Sequence, residues 1–176
     1  MRHLKRFVWV VLVAALSASA WHFWLARPSC ACGQDGPGQE SAKYVPVHEY
    51  DPQRDAAADI ALAVAEAKRA KKNVLLEVGG KWCVWCRIMD SYFEANPDVL
   101  KLREDNFVTV KINFSPENEN KEVLSKYGEI PAYPHLLVLD SEGKLIQSQG
   151  TGELEEGKSY NKEKFVGFLR KWSPSK

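Results

Sequence analysis

The chain is poor in cysteine and in net charge, and both shortages narrow what it can be. Of 176 residues only four are cysteine, and they fall in two tight pairs, Cys30/Cys32 and Cys83/Cys86. A small scaffold stapled by many disulfides is excluded by that count. Basic and acidic residues number 24 and 23, for a formal charge of +1. With no basic surplus there is no electrostatic reason to expect a nucleic-acid partner. No internal repeat is evident, so a solenoid or propeller is not expected either. What remains is an ordinary globular composition, 45% hydrophobic and 27% charged, in a length suited to one domain with appendages.

The appendages come first. Residues 1–27 open with Arg2, Lys5 and Arg6 and continue as an apolar run to Ala26. About 20 apolar residues cross a bilayer, and a basic flank ahead of them favours a cytoplasmic N-terminus with the remainder outside. Ala18-Ser19-Ala20 has the small-residue pattern of a signal-peptidase site. Apolar residues nevertheless continue beyond it, with Trp21 and Trp24 where an interfacial aromatic belt would lie. Whether cleaved or kept as a membrane anchor, the segment implies an extracytoplasmic domain. Residues 28–48, "PSCACGQDGPGQESAKYVPVH", are rich in Gly, Pro, Ser and Gln and read as a flexible linker. Cys30 and Cys32 lie within it, without a composition that defines a microenvironment for them.

Residues 49–176 form the globular domain. Asp51-Pro52 reads as a helix start, leading into an alanine-rich helix with Ile60, Val64 and Ala67 on its apolar stripe. "NVLLEVGG" is a short apolar run closed by glycines, the pattern of a buried strand. A helix over about 83–94, a shorter one near 98–103 and the strand "FVTVKINF" follow. "SPENENKEVLSKYG" reads as a helix capped by Ser115, "HLLVLD" and "KLIQSQG" as a hairpin, and residues 161–172 as a closing amphipathic helix. Strands that alternate with helices and end in a hairpin predict an α/β fold, a central mixed sheet of four to five strands with helices on both faces.

The chemistry lies in "GGKWCVWCRIMD", where Cys83 and Cys86 follow the glycine-closed strand and open a helix. Three readings fit the pair. It could be half of a tetrathiolate zinc site completed by Cys30/Cys32, two inert buried thiols, or a dithiol–disulfide couple. Residues three apart at a helix start share one face and meet disulfide geometry. The first sulfur there lies over free backbone N–H groups and the positive end of the helix dipole, which stabilise a thiolate. That context favours the redox couple, with an exposed Cys83 as nucleophile and a deeper Cys86 as resolving thiol.

With these residues in place the sequence resembles the thioredoxin superfamily, in the manner of exported or membrane-anchored bacterial thioredoxin-like proteins. Trp82-Cys83-Val84-Trp85-Cys86 matches the family's W-C-x-x-C over a resemblance that spans about residues 50–172. It implies a thioredoxin-like fold and a thiol–disulfide oxidoreductase, with reduction of exported substrates slightly favoured over oxidation. Glu77, six residues before Cys83, takes the position of the family's buried acid that assists proton transfer at the second cysteine, and Lys111 that of the lysine near it. Pro134 takes the place of the cis-proline, a catalytic and substrate-positioning role, although Pro131 is a second candidate. Substrate contacts are expected from Trp82, Trp85, Tyr133 and Pro134. The partners implied are a protein thiol or disulfide substrate and a membrane redox protein, with no cofactor and no resident metal. Val84-Trp85 departs from the Gly-Pro of typical thioredoxins and leaves the potential open. His135 keeps two rival functions in view: a Cu(I)-binding module holding metal through Cys83, Cys86 and His135, and a non-catalytic interaction domain.

Overall fold

A computed structural model describes residues 44–175. The 1–27 leader or anchor and the Cys30/Cys32 pair lie outside the described residues. The elements run α1 (Ala56–Ala70), β1 (Asn73–Gly79), α2 (Val84–Ala95), α3 (Pro97–Asn106), β2 (Phe107–Asn113), α4 (Lys121–Leu124), β3 (His135–Leu139), β4 (Leu145–Gly150), β5 (Glu155–Glu156), β6 (Ser159–Tyr160) and α5 (Lys162–Lys171). The main sheet has the order β2-β1-β3-β4, with β1 and β2 parallel and the other pairs antiparallel. The expected mixed sheet is therefore present, and β5 and β6 add a small separate hairpin that the sequence reading did not foresee.

Strand β1 is buried throughout, and its period of two divides the core. Val74, Leu76 and Val78 pack toward α1 with Val110, Ile112 and Leu137. Leu75 faces the other way, into a cluster with Met89, Phe93, Val99, Phe165 and Leu169 from α2, α3 and α5. Glu77 and Gly79 share the parity of Leu75, so the acid and the glycine point into that second layer, beneath α2.

Two helix starts differ from expectation. Asp51 does not cap α1: its Oδ1 accepts from Gln53 N at 2.9 Å in a local turn. The cap is Asp55, which accepts from Ala57 N and Ala58 N at 2.9 and 3.1 Å. The stretch after β2 is also not a helix from Ser115. Ser115 and Asn118 exchange backbone bonds in a tight turn, Asn120 is left-handed at φ 48°, and only residues 121–124 are α-helical. Asparagines explain the difference, since Asn113 Nδ2 donates to Asn118 O and Asn120 Nδ2 to Asn113 O, which gives the backbone non-helical partners.

Val47, placed in the linker by composition, is 5% exposed and bridges Val110 of β2. Among the described residues no helix is long and apolar enough to cross a membrane.

Candidate active site

Cys83 is the N-cap of α2, and its sulfur accepts from Cys86 N at 3.1 Å. The two cysteines form a disulfide, with Cα atoms 5.3 Å apart. The glycines that close β1 make room for it. A Cβ on Gly79 would lie 2.4 Å from Cys86 Sγ, and one on Gly80 would lie 2.4 Å from the Trp82 indole nitrogen. That nitrogen donates to Phe114 O at 2.7 Å, which ties the turn ahead of the disulfide to the end of β2.

The surface around the disulfide is aromatic. Trp82, 52% exposed, meets Tyr133 edge to face at 5.6 Å, and Tyr133 stacks on Phe114 at 4.7 Å. Beside Trp82 runs a groove of about 850 Å³ bordered by Tyr50, Lys81, Phe114 and Pro116. The Tyr133–Pro134 peptide bond is cis, and Thr151 Oγ1 donates to Pro134 O at 3.1 Å. Pro131 carries no cis bond.

Three placements differ from the sequence reading. Cys83 is 3% exposed rather than open, because Tyr133 and Trp85 pack around the cluster it forms with Cys86 and Tyr50. Trp85 is partly buried and turned to Tyr160 at 5.7 Å, so the open apolar side chain between the cysteines is Val84, 56% exposed. Glu77 is fully buried as expected, yet its partner is Arg103 of α3, with Nη1 2.9 Å from Oε1. Lys111, opposite Glu77 in the ladder, sends its Nζ to Asp90 Oδ1 at 2.6 Å. Lysine and acid are register neighbours without being an ion pair. Arg103 also lies over the Phe93 ring at 4.1 Å, which gives its flat cation an apolar bed. Nothing local in the sequence links Glu77 to Arg103, 26 positions apart.

His135 is buried, with Nε2 2.8 Å from Ser148 Oγ, and burial lowers its pKa. Its ring serves the β3–β4 pair. Among the described residues no group of three or more His, Cys, Asp or Glu is arranged to hold a metal ion. Tyr50 was missed as a site residue. Burial, with Glu77 and Asp90 adding to it, pushes its phenol well above the usual tyrosine range.

A four-stranded mixed sheet between helices, a disulfide at the N-terminus of α2 and a cis-proline just ahead of β3 define a thioredoxin-like protein. Residues 55–141 match the Thioredoxin-like family model, and the chain carries a domain of that family. Over 121 residues, 68% of its length, it is 30% identical to Thiol:disulfide interchange protein DsbD 2 of Pseudomonas aeruginosa, of which it covers 19%. The chain thus spans about a fifth of the length of the DsbD relatives it matches. It is 23% identical over 135 residues to Disulfide bond reductase DsbH of Chlamydia pneumoniae, covering 72% of this chain and 79% of that one. A solved structure described as a disulphide isomerase from Xylella fastidiosa Temecula1 superposes with a TM-score of 0.60 at 29% identity, over 69% of this chain and 94% of that one.

Proposed function

We propose that the chain is a thiol–disulfide oxidoreductase in which Cys83 exchanges with protein substrates and Cys86 resolves. The observation that carries this reading is the Cys83–Cys86 disulfide at the start of α2, with Cys83 as its cap. Opening the bond leaves a Cys83 thiolate facing free N–H groups and the helix dipole, which stabilise it as nucleophile and leaving group. Cys86, one turn in, attacks Cys83 Sγ to release a bound substrate. Trp82, Val84 and Tyr133 form the apolar rim for an extended peptide, Pro134 sets the facing backbone, and Trp85 braces the site from behind. Glu77 is the buried acid that exchanges a proton with the Cys86 side of the pair.

The relatives support the reductive direction, since one of them is named a disulfide bond reductase. The basic-then-apolar pattern of residues 1–27 supports export, so the domain works outside the cytoplasm and takes electrons from a membrane redox partner.

Titrating the full chain against glutathione or dithiothreitol, with tryptophan fluorescence as readout, tests this. A reversible two-electron transition is expected, and a potential near about −270 mV marks a reductase whereas one near about −120 mV marks an oxidant. Cys83→Ser should abolish exchange, and Cys86→Ser should accumulate the mixed disulfide on a non-reducing gel. The absence of any reversible transition defeats the proposal.

A further inference from the structure

Tyr50 shares a buried cluster with Cys83 and Cys86, yet the exchange chemistry above gives it nothing to do. It is 5% exposed, and its hydroxyl has no hydrogen-bond partner among the described residues. A buried hydroxyl without a partner costs free energy, so a partner is to be sought in another state of the protein. The geometry over Gly79 identifies one. The point where a Cβ on that residue would stand is 2.4 Å from Cys86 Sγ and 3.1 Å from Tyr50 Oη. Sulfur and hydroxyl flank the same small space, which the glycine leaves open. In the disulfide that sulfur is a weak acceptor. Once the bond opens it carries charge, and hydrogen bonds to a charged acceptor are the strong ones.

We propose that the Tyr50 hydroxyl donates a hydrogen bond to the Cys86 sulfur whenever the Cys83–Cys86 bond is open, making Tyr50 a positioning residue that favours the reduced and mixed-disulfide states. The inference rests on the dithiol–disulfide reading above. In the oxidising direction a substrate thiolate attacks Cys83 Sγ. A new S–S bond forms, the Cys83–Cys86 bond breaks, and its electron pair leaves on Cys86 Sγ, where the Tyr50 O–H meets it. The second substrate thiolate then attacks its own neighbour's sulfur and expels the Cys83 thiolate. The substrate dithiol becomes a disulfide and the protein disulfide becomes a dithiol with Cys83 as its thiolate; of the two substrate protons one goes to solvent and the other reaches the Cys86 sulfur after it has left as a thiolate. Reduction of a substrate runs the same steps backward. Tyr50 keeps its proton throughout, since its buried phenol resists ionisation.

The segment that carries Tyr50 is built to deliver it. Lys111 N donates to Val47 O at 3.2 Å, and Tyr44 Oη donates to Thr109 O at 3.0 Å, so the chain ahead of α1 runs along the outer edge of β2 before it turns over the disulfide. Lys111 Nζ sits 5.0 Å from the Tyr50 ring centroid, on the face of the ring rather than at its hydroxyl.

The test compares the full wild-type chain with Tyr50→Phe, which keeps the ring and its packing and removes only the hydroxyl. At equilibrium with glutathione couples the variant should favour the disulfide by about tenfold, a potential about 30 mV more negative. Thermal unfolding supplies the second readout. The oxidised variant should melt at or above the wild-type temperature, because it loses a hydroxyl that had no partner, whereas the dithiol variant should melt lower. A hydroxyl that serves only the fold would lower both. A Tyr50→Phe chain with the wild-type equilibrium constant overturns the assignment of Tyr50 alone. A wild-type chain with no reversible couple overturns the oxidoreductase reading with it.

Discussion

Glu77 sits in the second core layer with its charge answered from a helix rather than from the neighbouring strand. Its side chain is 1% exposed and that of Arg103 13%. Removing one partner of a buried pair strands the other charge, at a cost of about 3–5 kcal/mol. Arg103→Met should therefore lower the urea unfolding free energy by about 3 kcal/mol or more. Lys111 pairs instead with Asp90, whose side chain is 39% exposed, and Lys111→Met should cost at most about 1 kcal/mol. If Lys111→Met proves the more damaging change, Arg103 is not the acid's partner. His135 supplies a pH dependence. Burial lowers its pKa from the usual 6.5, so the folded state prefers the neutral ring. The unfolded chain then binds the extra proton, and the stabilisation is complete above pH 6.5 and lost as the pH falls below that value toward the folded pKa. Denaturant titrations across this range should show a slope just below pH 6.5 that His135→Gln flattens. An identical slope in that variant would place the titrating group elsewhere.

At the scale of elements, legibility followed the strength of local pattern. The run from Asn73 to Gly79 was readable because every residue of β1 is buried, and the hairpin because Gly143 adopts φ 82° in its turn. α5 was readable from the amphipathic pattern of residues 161–172, and Asn161 caps it by accepting from Lys164 N at 2.9 Å. The two misplaced helix starts share one cause: short polar side chains whose backbone bonds depend on partners that local spacing does not show. Asp51-Pro52 and Ser115-Pro116 both have the form of a helix start, yet tertiary bonds such as Asn118 Nδ2 to Pro52 O at 2.9 Å join these two stretches as turns. The difference has a measurable consequence. Loss of a capping side chain costs about 1 kcal/mol. Asp55→Ala should show that loss in equilibrium unfolding, whereas Asp51→Ala should stay within about 0.5 kcal/mol of wild type. The reverse ranking would restore the earlier helix start.

For the molecule as a whole, the site was half visible. Cys83, Cys86, Glu77 and Pro134 stand in or beside motifs with fixed spacing, whereas Arg103, Phe114 and Tyr50 reach the same region from α3, from the end of β2 and from the segment ahead of α1. Composition hid the last of these most thoroughly, since "KYVPVHEY" follows a Gly- and Pro-rich stretch and contains no periodic run. In the fold residues 44–50 act as a strap: Val47 pairs with β2, and Tyr50 closes over Cys86. A chain beginning at Asp51 would keep every element of the main sheet and all five helices while uncovering the β2 edge and the inner sulfur. Burying a large apolar side chain is worth about 1.5–3 kcal/mol, and Val47 and Tyr50 are both buried here. That truncation should therefore lower stability by about 3 kcal/mol or more relative to a chain beginning at Tyr44. It should also slow reduction by dithiothreitol, because the attacked sulfur, Cys83, stays covered by Tyr133 and Trp85 while the leaving Cys86 sulfur loses the Tyr50 hydroxyl. The two effects separate the roles of the strap: lost stability with an unchanged reduction rate would make it only a packing element, and equal stability with equal rate would return residues 44–50 to the linker.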